Sequence, residues 1–464
     1  MLAACAGGEG ASTAQDVSRP VYIAPSDTPQ SSAHSGTPFA LVTAPVPAMT
    51  PRSGGPLTLQ QAVKLAVADN PGLAEIRARA DALAAIPSQV GTLSDPVLSL
   101  NALNFPTDTF NFDQEPMTQV AIGLSQELPF PGKLGLREEA AGYEAEAVAS
   151  DAEEKRLMLI RDVKLVWWNL FYLDRALEIV DRNQDLLRQF VEIASAKYEV
   201  GQGLQQDVLL AQVELSQLLD RAIRLTGMRR TEEARLNALL NRTTDVPIAL
   251  PTSVATALSP SAPEESWFRL AEQDRPLLAA QKRRIDAADS RLELARKDYY
   301  PDFKVGAAYG FRGGSDPGGG SRSDFASLLF SMNLPVFTGR KQDRAVDQRH
   351  AEVLQRTYAM QDSREQVFKE ISTALADYRR AREQFELLEG GTIPQAQQTV
   401  ASMLAGYQTN QVDFLNLVRA QITLYNFEIQ RWNVLSVANQ SVAQIAAATG
   451  QEDVAISGSE TNVD

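Results

Sequence analysis

The sequence predicts a mainly α-helical chain with a membrane β part: long coiled-coil helices, duplicated within the chain, with four strands between them. Three observations carry this. Landmarks of the first half recur in the second half, in the same order and at nearly constant spacing. Apolar residues in the central segments follow an alternating 4, 3 spacing, the rhythm of a helix that keeps one seam against a neighbour. Near prolines in each half, short stretches alternate apolar with small or polar residues, the period of a half-covered strand.

Composition bounds the function classes. The chain has 464 residues, 44% of them hydrophobic, enough to bury a sizeable core. Aromatics are only 7%, and Ala, Leu, Gln, Glu and Arg dominate the middle, a bias toward long helices. The net charge of −14 argues against a nucleic-acid partner, since a phosphate-binding face needs clustered Lys and Arg. No uninterrupted apolar run is long enough for a transmembrane helix: the richest stretch, Leu157 to Leu173, contains Arg161, Asp162 and Lys164. A barrel strand needs only about ten alternating residues, so membrane residence stays open.

From the N-terminus onward, residues 1–56 read as a lipoprotein-like start and an extended arm rich in Ala, Ser, Thr, Gly and Pro. The single cysteine, Cys5, follows Leu2-Ala3-Ala4, a match to a bacterial lipoprotein cleavage box, although the charged and apolar parts of a signal peptide do not precede it. Lipidation of Cys5 is the expectation, and an ordinary thiol the competing reading. Residues 57–244 form the first repeat. Residues 245–263, with Pro247, Pro251, Pro260 and Pro263, read as a linker, 264–450 as the second repeat, and 451–464 as a loose acidic tail.

The duplication is read from four landmarks. Asn70-Pro71 recurs as Arg275-Pro276 and Asp95-Pro96 as Tyr300-Pro301, both prolines displaced by one interval. Leu128-Pro129-Phe130-Pro131-Gly132-Lys133 recurs as Leu334-Pro335-Val336-Phe337-Thr338-Gly339-Arg340. Tyr198 with Ala211-Gln212 recurs as Tyr407 with Ala420-Gln421, again at one interval.

Each half then reads helix, strand, strand, long helix, helix. The first helix is expected to stop ahead of its proline, because the residue before proline is pushed out of the α region, and strands to follow. Phe303, Val305, Ala307, Tyr309 and Phe311 alternate with Lys304, Gly306, Ala308 and Gly310. Val120, Ile122 and Leu124 alternate with Gln119, Ala121, Gly123 and Ser125, while the strand after Pro96 alternates less cleanly. Asn104 to Pro116 and Arg312 to Ser323 read as flexible hairpin tips. The glycines of the second are not a phosphate loop, since no helix start with a Lys-Ser/Thr pair follows. Leu159, Val163, Val166, Leu170, Leu173, Leu177 and Val180 make one seam, and Leu204, Val208, Ala211, Leu215, Leu218, Ala222 and Leu225 another. Leu417, Ala420, Leu424 and Phe427 repeat part of the second. A helix from about Lys133 to Val200 runs roughly 100 Å at 1.5 Å per residue.

Four strands do not close a barrel, and an open sheet edge leaves backbone groups unpaired in lipid. Strands that meet a membrane must therefore be pooled by several chains, with the helices continuing from the shared barrel as a duct. In its duplicated order, its Leu-Pro-x-x-Gly-Lys turn and its Tyr-x-x-Gly…Ala-Gln element, the chain resembles the TolC-like outer-membrane efflux proteins, from about Leu57 to Gly450. The run Gln126 to Lys133 is most similar to the heavy-metal resistance (CzcC-like) branch. The resemblance implies a homotrimer with an α-barrel and a twelve-stranded β-barrel, sited in the bacterial outer membrane and reaching into the periplasm. It also implies a periplasmic adaptor protein and an inner-membrane efflux pump of RND type as partners, with outer-membrane lipid around the barrel.

The same resemblance places the periplasmic tip at the turns around Gly201 and Asn410. Tip and gate candidates are Tyr198, Gly201, Gly203, Asp207, Tyr407, Asn410, Asp413, Asn416 and Arg419. An acidic ring found in some members is not kept in the second half, where Asn416 and Arg419 stand, although Asp413 is close by. Gly201 and Asn410 suit the left-handed backbone that ends a helix; the competing reading of both turns is a plain helix–helix connection. No catalytic residue, cofactor or metal site is expected: the two histidines, His34 and His350, read as solvated, and the methionines are scattered. The expected function is a passive exit duct for metal cations. Organic compounds or drugs are the alternative cargo, and a structural coiled-coil or periplasmic adaptor protein is the alternative of another class.

Overall fold

The fold is described from a computed structural model, in which residues 55–409 and 411–456 are described. Cys5, His34 and Asn410 lie outside the described residues. Helix α1 (Leu59–Asp69) opens on a capping box: the Thr58 hydroxyl accepts from Gln61 N at 3.3 Å, and the Gln61 side chain accepts from Thr58 N at 3.0 Å. It ends at Asn70, as the proline demands, but a second helix follows before any strand. Pro71 opens α2 (Pro71–Ala84), where a missing N–H costs nothing, and Asn70 caps that helix through Leu73 N at 3.1 Å. The second half repeats this with α6 (Glu264–Asp274) and α7 (Pro276–Lys297). A proline disfavours helix only at the residue before it, so it punctuates the rod rather than ending it.

After the short α3 (Ile86–Gly91), strands β1 (Val97–Leu103) and β2 (Gln119–Leu128) form one hairpin; β3 (Phe303–Phe311) and β4 (Phe325–Met332) form the other. The hairpins join through β2 and β3 into one antiparallel sheet of order β1-β2-β3-β4, leaving β1 and β4 as edges. From the sheet run α4 (Lys133–Glu199) and α5 (Gln205–Leu239) in the first half. In the second come α8 (Gln342–Leu387), a π-turn (Leu388–Thr392), α9 (Ile393–Gln408) and α10 (Phe414–Ala448). The π-turn sits where Gly390, Gly391 and Pro394 coincide: Pro394 cannot donate to the carbonyl one turn back, and the backbone relaxes into a wider turn. Helices α5 and α10 each have 35 residues. All boundaries of the long helices shift between halves by the interval separating Tyr198 from Tyr407, called here the repeat interval.

Helix α4 is the spine. Its strand-side part packs on α2, α3 and α7; its far part packs on α5 and α10. The expected seam of α4 is buried at Leu159, Val163, Val166, Leu170, Leu173 and Val180, with Leu177 half-buried. In α5, Ala211, Leu218 and Leu225 are buried and Leu204, at the helix start, is exposed. Leu417 and Leu424 are buried in α10.

Each repeat is closed by the residue before its proline. Asn70 Nδ2 donates to Leu239 O, at the end of α5, at 3.1 Å. Arg275 Nη1 lies 3.4 Å from Ala448 O, the same position at the end of α10, while its guanidinium pairs with Glu154 of α4 at 3.0 Å and Glu370 of α8 at 2.8 Å.

Two segments differ from expectation. The proline-rich segment 245–263 is packed: Ile248 is buried, Ala249 O accepts from Leu57 N at 2.8 Å, and Ala262 N donates to Ile456 O at 3.0 Å. The start of the expected loose tail is docked too. Ile456 is buried beside Trp267, Glu452 pairs with Arg156 at 2.5 Å, and Asp453 pairs with the buried Lys164. An ammonium held out of water on α4 needs an anion, and the acidic tail supplies it.

Candidate functional site: the apolar sheet and the helical tip

Strand alternation sorts the sheet into two chemically distinct faces. Register aligns Leu98, Leu124, Ala307 and Leu328 across the four strands on one face, and Ser99, Gly123, Ala308 and Ser327 on the other. The apolar face is open: Leu98, Leu100, Ile122, Leu124, Tyr309 and Phe330 are exposed, and Leu328 is 93% exposed. In water this is an unfavourable surface of large side chains; facing lipid it is what a barrel wall requires.

The turn from sheet to helix is built by the proline-rich motif. Gly132 has a φ of 91°, a left-handed conformation that its lack of Cβ permits, and it starts α4 at Lys133. Lys133 is buried and bridges Asp298 at 2.9 Å and Asp302 at 3.0 Å. Asp302 also accepts from Phe130 N at 2.8 Å, and Phe130 stacks on Tyr300. The motif therefore locks the first-half strand exit onto the second-half strand entry.

At the opposite end of the sheet, the glycine-rich tip is not loose. Arg322 Nη1 lies 3.2 Å from the carbonyls of Asp113, Glu115 and Gly313, and Arg312 donates to Pro116 O at 2.6 Å and Ser323 O at 3.0 Å. These arginines tie the two hairpin tips together. Sequence reading passed over them; arginines inside a Gly- and Ser-rich loop are the signal that was there.

At the far end of the helices, α4 ends in a Schellman motif: Gly201 has a φ of 72°, Gln202 N donates to Lys197 O at 2.8 Å, and Gly201 N to Tyr198 O at 3.0 Å. The second turn carries the equivalent bond, Gln411 N to Gly406 O at 2.8 Å. Gly203 is pressed against this helix end, where an added Cβ would lie 3.0 Å from that of Lys197.

The structure splits the sequence-equivalent candidates. Tyr198 is exposed and Tyr407 buried; Asp207 is buried and Asn416 exposed. Asp413 is the exposed N-cap residue of α10, and Arg419 is exposed. Tyr407, Asp207 and Asp413 come together with Lys197, a residue the sequence reading did not single out. Lys197 Nζ donates to Tyr407 O at 2.9 Å and lies 4.1 Å from the Tyr407 ring centre. The Tyr407 hydroxyl is buried without a hydrogen-bond partner among the described residues. Burial pushes the Asp207 carboxyl above its ordinary range. The Leu204 N–H and Lys197 oppose this, and the Asp413 charge adds to it. The Tyr407 hydroxyl is raised by burial first, then by Asp207 and Asp413. Asp207 also faces the Leu204 N–H within the first turn of α5, half of a capping box, which is a structural reason for an acid at that position.

Comparison with known proteins agrees with this layout. A family model described as outer membrane efflux protein matches residues 62–242 and 267–451. The chain is 21% identical over 409 residues to the cobalt-zinc-cadmium resistance protein CzcC of Cupriavidus metallidurans, covering 88% of this chain and 94% of that protein. Its fold is similar to that of the outer membrane protein VceC from Vibrio cholerae, with a TM-score of 0.71 at 18% identity, over 85% of this chain and 96% of that one. It is also similar to CusC, which forms a transmembrane channel, with a TM-score of 0.71 at 15% identity, over 87% and 96%.

Proposed function

Because the chain belongs to the outer membrane efflux protein family, we propose that it is a subunit of a homotrimeric duct that carries metal cations out through the outer membrane. The observation that carries this is a four-stranded sheet with one apolar exposed face and two unpaired edges, set on helices about 100 Å long. Edge β4 of one subunit would pair with β1 of the next until three sheets close. The duct is passive and has no catalytic role. Drive and selectivity come from an RND-type inner-membrane pump joined through a periplasmic adaptor. Metal cargo is supported by the likeness to CzcC, whose name states cobalt, zinc and cadmium resistance. Cys5 carries the lipid that anchors the arm.

One set of measurements tests this reading. The protein extracted from outer membranes in detergent is expected to have the mass of three chains and to take up a fatty-acid label that Cys5→Ala abolishes. Disrupting its gene is expected to sensitise cells to divalent metal ions. A stable monomer soluble without detergent would replace the duct with a coiled-coil or adaptor protein, and sensitivity to organic compounds alone would replace the cargo.

The tip cluster is the proposed gate. Asp207 has a raised folded-state pKa, so its burial favours the packed tip while it is protonated. That contribution is lost as pH rises from the ordinary carboxylate range through the raised value. Single-channel conductance is therefore expected to increase over that window. Asp207→Asn should flatten the dependence, and Asp207→Ala should change conductance or cation preference with assembly intact. Identical pH profiles for wild type and Asp207→Asn would leave Asp207 as a helix cap only.

A further inference from the structure

The sheet carries almost no charge. Among the described residues of its four strands, Glu127 on β2 and Lys304 on β3 are charged and every other side chain is neutral. They are direct partners across the β2–β3 ladder, one rung from its helix-side end, where Leu128 meets Phe303. Alternation puts both on the face of Ser99, Gly123, Ala308 and Ser327, away from the apolar one. Toward the hairpin tips that face continues with Ser125, Gly123 and Ala121 on β2 and with Gly306, Ala308 and Gly310 on β3, all short and uncharged. Opposite charges facing each other across a ladder commonly close an ion pair that supports the sheet. These two do not: Glu127 is exposed, Lys304 is half-buried, and neither side chain makes an ion pair or a hydrogen bond among the described residues. Both stay open to ions in the adjoining water. Two cations and two anions lie next to them and balance one another: Lys133 bridges Asp298 and Asp302, and Arg137 shares a groove with Asp302, Glu127 and Lys304.

We propose that Glu127 and Lys304 set the charge preference of the barrel: repeated in each subunit, they form a collar at its helix-side mouth, where Glu127 draws cations in and Lys304 keeps them from being held. The proposal rests on the duct reading above. Conduction needs attraction strong enough for an ion to enter and weak enough for it to leave. A ring of carboxylates with no counter-charge would retain a divalent cation, and a ring of ammoniums alone would turn it away. Set on neighbouring strands, the two charges cancel at a distance, and a hydrated cation meets each carboxylate only at close range. Because the wall beyond the collar on β2 and β3 is short and uncharged, the collar supplies the local field that tells a cation from an anion there.

The test is a thiol reporter in the full-length protein in detergent. Ser125→Cys places it on the same face as Glu127, opposite Gly306. It is reacted with a cationic and an anionic methanethiosulfonate of equal size, the wild type serving as control for Cys5. In low salt, adding Lys304→Gln is expected to raise the cationic-to-anionic rate ratio about threefold or more, and adding Glu127→Gln to lower it by a similar factor. Both changes together should restore the ratio, and salt at about 1 M should erase each shift. Single variants that leave the ratio unchanged would overturn the collar and leave the pair as a support for the sheet at most. A reporter that reacts with neither reagent would overturn the placement of this face toward water. A reporter protein with the mass of one chain would overturn the duct reading, and the collar with it.

Discussion

Leu328→Arg is expected to prevent stable insertion into the outer membrane. Leu328 lies in the middle of β4, on the rung it shares with Leu98, Leu124 and Ala307, and is almost wholly exposed on the apolar face. An arginine near the bilayer midplane of a barrel costs about 2–4 kcal/mol, and a trimer carries three copies, so the penalty falls on one barrel three times. Adding Leu124→Arg on the same rung should deepen the loss. Ser327→Arg is the matched control: its neighbours across the sheet are Ala308, Gly123 and Ser99 on the opposite face, where the charge meets water inside the duct. The readout is the fraction of folded trimer recovered with outer membranes. Normal insertion of Leu328→Arg, or equal loss from Ser327→Arg, would reverse the assignment of the two faces.

Arg275→Ala is expected to be the most destabilising single change in the helical body. The guanidinium is buried, pairs with Glu154 and Glu370 on two different helices, and reaches Ala448 O. Removing it leaves the largely buried Glu154 with its charge partner gone and only the Leu277 N–H at 3.2 Å, and breaking a buried pair in this way costs about 3–5 kcal/mol. Thermal unfolding in detergent should show a lowered transition. Adding Glu154→Gln to Arg275→Ala should recover part of it, because an uncharged amide tolerates burial that a lone carboxylate does not. An unchanged transition in Arg275→Ala would mean that α7, α4 and α8 hold together without this bridge. The contrast with Asn70 is instructive: it sits at the same point of the first repeat and makes the same closing bond to its last helix, yet it needs no carboxylate partner because it carries no charge.

The 4, 3 seams, the strand alternation, the equal repeat and the two tips were all legible in the sequence, because each rests on relations between residues close in the chain or between like segments. Periodicity dictates which side of a helix or strand is apolar, so the α4 seam from Leu159 to Val180 and the apolar rows of β2 and β3 are read from spacing. Spacing does not say what will cover a given face, and that was decided in the tertiary structure. Asp207 is buried and its counterpart Asn416 exposed because the α4/α5 pair has the second repeat, with Tyr407 and Asp413, on that side within the chain, whereas the same side of the α9/α10 pair is open. On the opposite side the asymmetry reverses: Val418 of α10 is covered in the core shared with α4, and Leu209 of α5 is bare. The pairing of β2 with β3, the docking of Asp453 on Lys164, the three-way bridge of Arg275 and the clamping of both hairpin tips by Arg322 join residues far apart in sequence. No local pattern encodes them; they arise once the two copies fold against each other and become chemically unequal.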